Sequence, residues 1–224
     1  MKGLRAAWIV FFTGLIASLY VLTDIPADTI VATHYNMDGV ADRTNTILTA
    51  LAFVNGMSLF ILVVMTALTW LEPRKENLQK SSRARQAITL AVVCLMIVIG
   101  ITFVAEAYEY PMPRQRIIFV SIFVLFIFIG NFLPKLRSNF FMGVRTPWTL
   151  SSDTVWTKTH RLAGPIFMLA GLIGIPFALL APVHQMTFVI LGLILPASLI
   201  PVAYSWWLWR QEQSENTGDT AESR

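Results

Sequence analysis

Two stretches of the chain bring together side chains that could bind a ligand. The first, NFFMGVRTPWTLSSDTVWTKTHRLAG, runs from Asn139 to Gly164 and combines cations, tryptophans and a histidine. Arginine suits bidentate contacts with phosphate groups, which makes lipid headgroups one candidate ligand. The alternative is that the cations set membrane orientation and the tryptophans anchor the interface. The predicted partner- or ligand-binding residues are Asn139, Arg145, Thr146, Trp148, Trp156, Lys158, His160 and Arg161.

The second stretch, DIPADTIVATHYNMDGVADRTNT, is acidic and starts at Asp24. Its NMDG segment predicts a turn, because asparagine and aspartate can bond their own backbone and Gly39 can take a positive φ. His34, Asp38 and Asp42 are spaced four residues apart. On a helix this spacing would align them as a metal triad, but the turn argues against a helix there. We expect a solvated acidic turn and predict no metal site, with metal or proton binding as the alternative. The candidate ligand-binding residues are His34, Asn36, Asp38 and Asp42.

Catalytic signatures are missing from the sequence. There is no H-E-x-x-H, no G-x-S-x-G and no glycine-rich phosphate loop. The carboxylate nearest His160 in the first stretch is Asp153, seven residues before it. The single cysteine, Cys94, excludes an intramolecular disulfide and a cysteine-based zinc site. We therefore predict no catalytic residues, no cofactor and no enzymatic activity.

The elements that position both stretches are membrane spans. The chain has 224 residues, of which 55% are hydrophobic and 13% charged, against about 25% charged in an average soluble domain. A spanning helix needs roughly 20 apolar residues, and six runs fit this length. These predict an all-α, polytopic membrane protein with six transmembrane helices, at about 6–22, 47–71, 87–107, 117–133, 162–180 and 186–209.

Loop charge predicts the orientation of these spans. Basic residues dominate the N-terminus, the second loop and the fourth loop, whereas the first loop is acidic. Because lysine and arginine accumulate on the cytoplasmic side, both termini are predicted to be cytoplasmic. The signature loop, residues 134–161, then faces the cytoplasm, and residues 24–46 form an external loop. The net charge of +4 is explained by these loops, and we expect no direct nucleic acid binding.

The chain divides into three predicted segments. Residues 1–71 form a two-helix unit with the external loop, residues 72–209 form a four-helix unit, and residues 210–224 form a disordered cytoplasmic tail, since the tail has no apolar face to bury. Within the signature loop, Pro147 restricts Thr146 to an extended conformation. Ser151 or Ser152 is the predicted cap of a helix that continues into the fifth of the six spans, with Asp153 in its first turn.

The stretch from Gly130 to Gly164 resembles the signature of the SdpI family of bacterial membrane proteins. The pattern is a Gly-Asn-x-Leu-Pro-Lys run, then Asn-x-x-x-Gly-x-Arg-Thr-Pro-Trp-Thr-Leu, then a segment with Trp, Thr-His-Arg and Gly. The external loop is similar to an N-terminal domain of uncharacterised function that is often fused to this signature. The matching residues are Gly130, Asn131, Leu133, Pro134, Lys135, Asn139, Gly143, Arg145, Thr146, Pro147, Trp148, Thr149, Leu150, Trp156, Thr159, His160, Arg161 and Gly164, with Pro26, His34, Asn36, Gly39 and Asp42 in the external loop.

This resemblance implies an immunity or signal-receptor protein in the bacterial cytoplasmic membrane. Such a protein protects a cell from a secreted, membrane-active peptide toxin, and it also holds a cytoplasmic transcriptional repressor at the membrane. The expected partners are therefore the toxin, the repressor and membrane lipids. A small transporter, or a metal-dependent membrane enzyme acting on a lipid or peptide, is the alternative.

Overall fold

Six long helices form the body of the molecule. The computed structural model describes residues 4–222, with side chains as far as residue 215. Within that part, six helices are long and apolar enough to cross a membrane, which confirms the predicted multi-pass fold. Each has the apolar length that a bilayer core of about 30 Å demands. They are α1 (Arg5–Asp24), α2 (Ile47–Leu71), α4 (Ser82–Ala107), α5 (Arg114–Phe132), α7 (Asp153–Leu180) and α8 (Met186–Glu222).

Short elements fill the connections between the spans. Two are α-helical, α3 (Lys75–Lys80) and α6 (Pro147–Ser151), and two are 3₁₀ turns at Leu133–Lys135 and Val183–Gln185. The first loop adds a feature that the all-α prediction did not include. It folds as an antiparallel hairpin of β1 (Ile30–Tyr35) and β2 (Ala41–Thr46).

The hairpin is joined directly to the second span. Thr46 is the last residue of β2 and also the N-cap of α2, where its hydroxyl accepts a hydrogen bond from the backbone N–H of Thr49 at 3.2 Å. At the other end of α2, Glu72 is the C-cap residue. A single uninterrupted helix therefore connects the hairpin with the loop that precedes α3.

Glycines allow α5 and α7 to pack very closely. A Cβ atom on Gly171 would lie 2.5 Å from the carbonyl oxygen of Phe123, and one on Gly174 would lie 2.1 Å from the Phe123 ring. Gly130 and Gly164 face each other in the same way, since a Cβ atom on either would lie within 3 Å of the other's carbonyl oxygen. Small residues at such contacts let helix backbones approach each other inside a membrane.

The loops divide between two ends of the bundle. The hairpin end consists of residues 25–46, 108–113 and 181–185. The signature end consists of residues 72–81 and 133–152, together with the start of α1 and the end of α8. This alternation agrees with the predicted order of spans, and the assignment of the signature end to the cytoplasm stays a prediction.

The last helix is longer than predicted. The sequence predicts disorder from residue 210, whereas α8 continues to Glu222, and the last two residues lie outside the described part. Extending an existing helix needs no new nucleation. In addition, the Glu212 carboxylate accepts a hydrogen bond from the Ser152 hydroxyl at 2.9 Å, which ties the start of this extension to α7.

Candidate functional site

Asn139 organises the signature loop from inside. Its side chain is fully buried, and its Oδ1 accepts hydrogen bonds from the backbone N–H groups of Phe141 at 3.0 Å and Met142 at 2.7 Å. Its Nδ2 donates to the carbonyls of Arg137 at 2.8 Å and Met142 at 3.2 Å. One side chain thus satisfies four backbone groups of a loop that has no regular structure, which is what a buried loop requires.

His160 is also an internal residue of the loop. It is 1% exposed. Its Nε2 accepts a hydrogen bond from the backbone N–H of Val144 at 3.0 Å, and its Nδ1 lies 2.8 Å from the carbonyl of Trp156. A neutral ring protonated on Nδ1 satisfies both contacts. With both nitrogens engaged inside the protein, the ring has none left for a ligand.

Gly143 makes room for this histidine. Its φ is +108°, and a Cβ atom there would lie 2.3 Å from Nε2 of His160. Only glycine combines that backbone conformation with that clearance. Gly143 and His160 therefore form one structural unit, although 17 positions separate them in the sequence.

Trp156 closes the buried side of the loop. The indole N–H donates to the carbonyl of Leu136 at 2.9 Å, and the ring stacks on His160 with centroids 4.1 Å apart. These two residues share one face of α7, because they are four positions apart. Because Trp156 is 1% exposed, it packs the loop against α7 and does not lie at the bilayer interface.

Thr146 starts the short helix α6 and also contacts the last span. Its backbone is extended, as Pro147 requires, and it forms a reciprocal capping box with Thr149. Its hydroxyl lies 3.1 Å from that of Ser205 on α8. Trp148, in the first turn of α6, is half-buried. After α6, Ser152 caps α7 by accepting from the backbone N–H of Val155.

A second group of residues, not predicted from the sequence, lies in the loop between α2 and α4. Glu72 is fully buried, and its carboxylate accepts from the backbone N–H groups of Arg74 at 2.9 Å and Phe140 at 3.0 Å. Asn77 donates to the Ser138 carbonyl at 2.9 Å. From their charges alone, Glu72 and Arg74 are simply members of a basic loop. Their spacing in the sequence gives no sign of contacts with residues more than 60 positions away.

Three further hydrogen bonds join these loops. The guanidinium of Arg74 donates to the Ser138 hydroxyl and, at 2.9 Å, to the carbonyl of Leu150. The hydroxyl of Ser81 accepts from the backbone N–H of Arg137 at 2.9 Å. The loop between α2 and α4 therefore holds the signature loop along its length, from Arg137 to Leu150.

The exposed part of the site is basic. Arg145, Lys158 and Arg161 all have exposed side chains, and Lys158 and Arg161 share a face of α7 because they are three residues apart. A cavity of about 290 Å³ lies between the two loops, lined by Lys80, Arg137, Asp153 and neighbouring residues. The predicted site thus separates into buried residues that hold the loop and exposed cations that it presents.

The hairpin residues lie at the opposite end of the molecule. Asn36 forms the predicted turn, with its Oδ1 accepting from the backbone N–H groups of Asp38 at 3.0 Å and Val40 at 2.9 Å. Gly39 has a φ of +80°, as expected. His34 and Asp42 are bonded through Nδ1 and Oδ1 at 2.6 Å, and this hydrogen bond holds the pKa of Asp42 below its ordinary value.

Of the three residues spaced four apart, His34, Asp38 and Asp42, the structure brings only His34 and Asp42 together. His34 and Asp42 face each other across the strands, whereas Asp38 lies in the exposed turn. Among the described residues, no group of three or more histidine, cysteine, aspartate or glutamate side chains could hold a metal ion. The two candidate sites also remain separate, since the bundle lies between them.

Contacts with the spans hold the hairpin in place. The carboxylate of Glu106 on α4 accepts from the backbone N–H of Ala32 at 3.0 Å and pairs with Arg114 on α5. Gln115 on α5 donates to the carbonyl of Gly39 at 2.8 Å. The hairpin therefore packs on the ends of α4 and α5, with its polar side chains facing outward.

Comparison with known proteins gives one family. Residues 135–205 match the model of the SdpI/YfhL protein family. Immunity protein SdpI of Bacillus subtilis (strain 168) is 23% identical over 120 residues, which cover 52% of this chain and 58% of that protein. The chain thus matches a little over half the length of that relative. No solved structure matches it. The matched residues include most of the buried network described above, so the chain is similar to this family at the signature end.

Proposed function

We propose that this chain is an integral membrane immunity and signal-receptor protein, which protects a bacterial cell from a membrane-active peptide toxin. The observation that carries this proposal is the similarity to an immunity protein over 120 residues. The family match covers the signature end from residue 135 onward, where a buried network holds a loop with exposed cations. An ordered, charged surface of this kind suits recognition of a partner.

The two ends of the molecule take different roles in this proposal. The signature end faces the cytoplasm and binds an acidic surface of a transcriptional repressor through Arg145, Lys158 and Arg161. The hairpin end faces outward and meets the toxin through the exposed side chains of His34, Asn36, Asp38 and Asp42. The protein resides in the bacterial cytoplasmic membrane with both termini inside.

Features of the spans favour this proposal over a transporter or a membrane enzyme. The cavity between α1, α2 and α4, of about 170 Å³, is lined by apolar residues apart from Ser18, Asn55 and Ser58. Asn55 already donates to Ser18 at 3.0 Å and to the carbonyl of Leu51 at 2.8 Å. A substrate path would need ionisable or unpaired polar groups there. The protein is therefore proposed to act by binding, without catalysis.

Protection can be tested in a Bacillus subtilis strain that lacks its own immunity protein SdpI. The strain expressing this chain is exposed to supernatant from the toxin-producing parent, and survival and membrane potential are measured. We expect survival to rise above that of the empty-vector strain. A normally inserted chain that gives no protection would contradict the immunity role against that toxin.

Partner recruitment is tested separately at the signature end. Lys158→Ala removes an exposed charge, and Arg145→Ala removes a charge that also donates to the Phe140 carbonyl at 3.0 Å. Both variants should lose membrane recruitment of a fluorescently tagged repressor, while inserting normally. The control is Lys75→Ala, which removes an exposed charge from α3. Full recruitment by Lys158→Ala and Arg145→Ala would exclude this role for the loop.

A further inference from the structure

Arg85, in the first turn of α4, is a buried cation that the network at the signature end does not use. It is 8% exposed. Its Nη1 donates to the carbonyl of Met65 at 2.8 Å, and its Nε is buried without a hydrogen-bond partner. Arg83, two residues earlier on the same helix, is exposed. Among the ion pairs of the described residues, none includes Arg85.

A buried guanidinium without a counter-charge is costly. Charged groups in the interior are normally paired, since desolvation is otherwise uncompensated. Arginine carries five N–H donors and keeps its charge at any physiological pH. Because charged residues in membrane spans usually mark functional sites, Arg85 indicates a place for an anion that the protein itself does not supply.

Arg85 lines a cavity of about 580 Å³ between the start of α1, the end of α2 and the start of α4. Arg5 lines the same cavity, so two cations meet there, and no aspartate or glutamate is among its described lining residues. Trp8 and Trp70 border it as well. Tryptophan is enriched at the headgroup level of membranes, which places the charged part of the cavity at that depth.

The remaining wall of the cavity is apolar along α1, and Thr66 and Thr69 line it along α2. Ile9 and Phe12 line it along α1, and their side chains are 65% and 52% exposed. Phe12 lies seven residues after Arg5, which is about 10 Å deeper along the helix at 1.5 Å per residue. The cavity thus has a cationic part at the end of the spans and an apolar part beside the bilayer core.

We propose that this cavity binds one anionic phospholipid. Its phosphate accepts hydrogen bonds from Arg85, with Arg5 adding a second positive charge, and one acyl chain lies over Ile9 and Phe12. The charge of Arg85, which no carboxylate of the described residues neutralises, accounts for the anion, and the apolar wall accounts for the lipid tail. This site is separate from the exposed cations of the signature loop and does not depend on the proposed immunity function.

The test is native mass spectrometry of the full chain, released from nanodiscs with equal amounts of phosphatidylglycerol and phosphatidylcholine that carry the same acyl chains. We expect the protein to retain one phosphatidylglycerol in preference to phosphatidylcholine. Arg85→Gln should lower that retention about tenfold, the loss expected for one charge-assisted hydrogen-bonded contact. Arg83→Gln, which removes an exposed charge from the same helix, should leave it unchanged.

Two further measurements test the site even if Arg85→Gln does not fold. Arg5→Gln, at an exposed position, should lower retention about threefold even if Arg85→Gln fails to fold, since it removes only an exposed charge. Inorganic phosphate added in excess should not displace the lipid, because it lacks the tail. Equal retention of both lipids, unchanged retention in Arg85→Gln and Arg5→Gln, or full displacement by phosphate would each overturn a specific phospholipid site.

Discussion

Two asparagines perform the same task at opposite ends of the molecule. Asn139 and Asn36 each use Oδ1 to accept two backbone N–H groups a few residues ahead. Asn139 is fully buried and also donates to two carbonyls, whereas Asn36 is exposed. Water can replace the bonds of Asn36 but not those of Asn139. The same local motif is therefore essential at the signature end and replaceable at the hairpin end.

The contrast extends to the surroundings of each motif. At the signature end, Glu72, Asn139 and His160 all have buried polar groups with protein partners. At the hairpin end, the predicted site residues are exposed and hydrogen-bond mainly to one another. A recognition surface can thus be built on a fixed internal network or on a small exposed turn, and the two should differ in how they tolerate substitution.

The largest difference is expected between Asn139→Ala and Asn36→Ala. Asn139→Ala leaves four backbone groups without their partner, two of them in buried Met142, which should lower the free energy of unfolding by about 3 kcal/mol or more. Asn36→Ala should cost less than about 1 kcal/mol, because water reaches its N–H groups. Unfolding by detergent titration in mixed micelles measures both. Equal losses of unfolding free energy in the two variants would show that burial of the asparagine does not decide how well its substitution is tolerated.

A second pair is Glu72→Ala and Glu106→Ala. Glu72→Ala removes a buried acceptor from two N–H groups and should cost about 2–3 kcal/mol. Glu106→Ala removes one backbone bond and a partly exposed ion pair, so it should cost about 1 kcal/mol. Amide hydrogen exchange should accelerate at Phe140 in the first variant and at Ala32 in the second. Acceleration at Ala32 in Glu72→Ala would contradict separate local networks.

The third pair compares two glycines with positive φ. An alanine at either position strains the backbone by about 1–2 kcal/mol. In Gly143→Ala the new Cβ also meets the buried ring of His160 at 2.3 Å, whereas in Gly39→Ala it meets a Val183 methyl at 3.0 Å. Gly143→Ala should therefore be the less stable variant, and the imidazole NMR signals of His160 should shift in it alone. Unshifted signals would mean that the backbone around position 143, and not the His160 ring, moves to relieve the close contact.

The smallest effect concerns pH at the hairpin. The bond from His34 lowers the pKa of Asp42 from its ordinary value of 3.8. That contribution to stability is present above about pH 4 and is lost as the pH falls through the lowered pKa. Carboxyl NMR titration should give a higher Asp42 pKa in His34→Gln than in the unmodified protein. An unchanged value would show that the bond is not formed in solution.

Local patterns were predictable from the sequence. The asparagine-glycine turn, the cap at Ser152 and the shared face of Trp156 and His160 each depend on residues within a few positions. The six spans followed from apolar length. The interior of the site was not predictable, because Glu72 and Phe140 are 68 residues apart and no periodicity connects them. The burial of Arg85 was missed for the same reason, since loop charge says nothing about depth.

The continuity of α2 has a mechanical consequence. The helix follows directly after Thr46, the last residue of the hairpin, and is followed by Glu72, which accepts a hydrogen bond from the backbone N–H of Phe140. Its 25 residues form a rod of about 37 Å at 1.5 Å per residue, and a helix resists compression along its axis. A ligand that pushed the hairpin toward the bilayer would displace Glu72 at the far end by a similar distance. A single continuous helix therefore connects the hairpin end directly with the signature end.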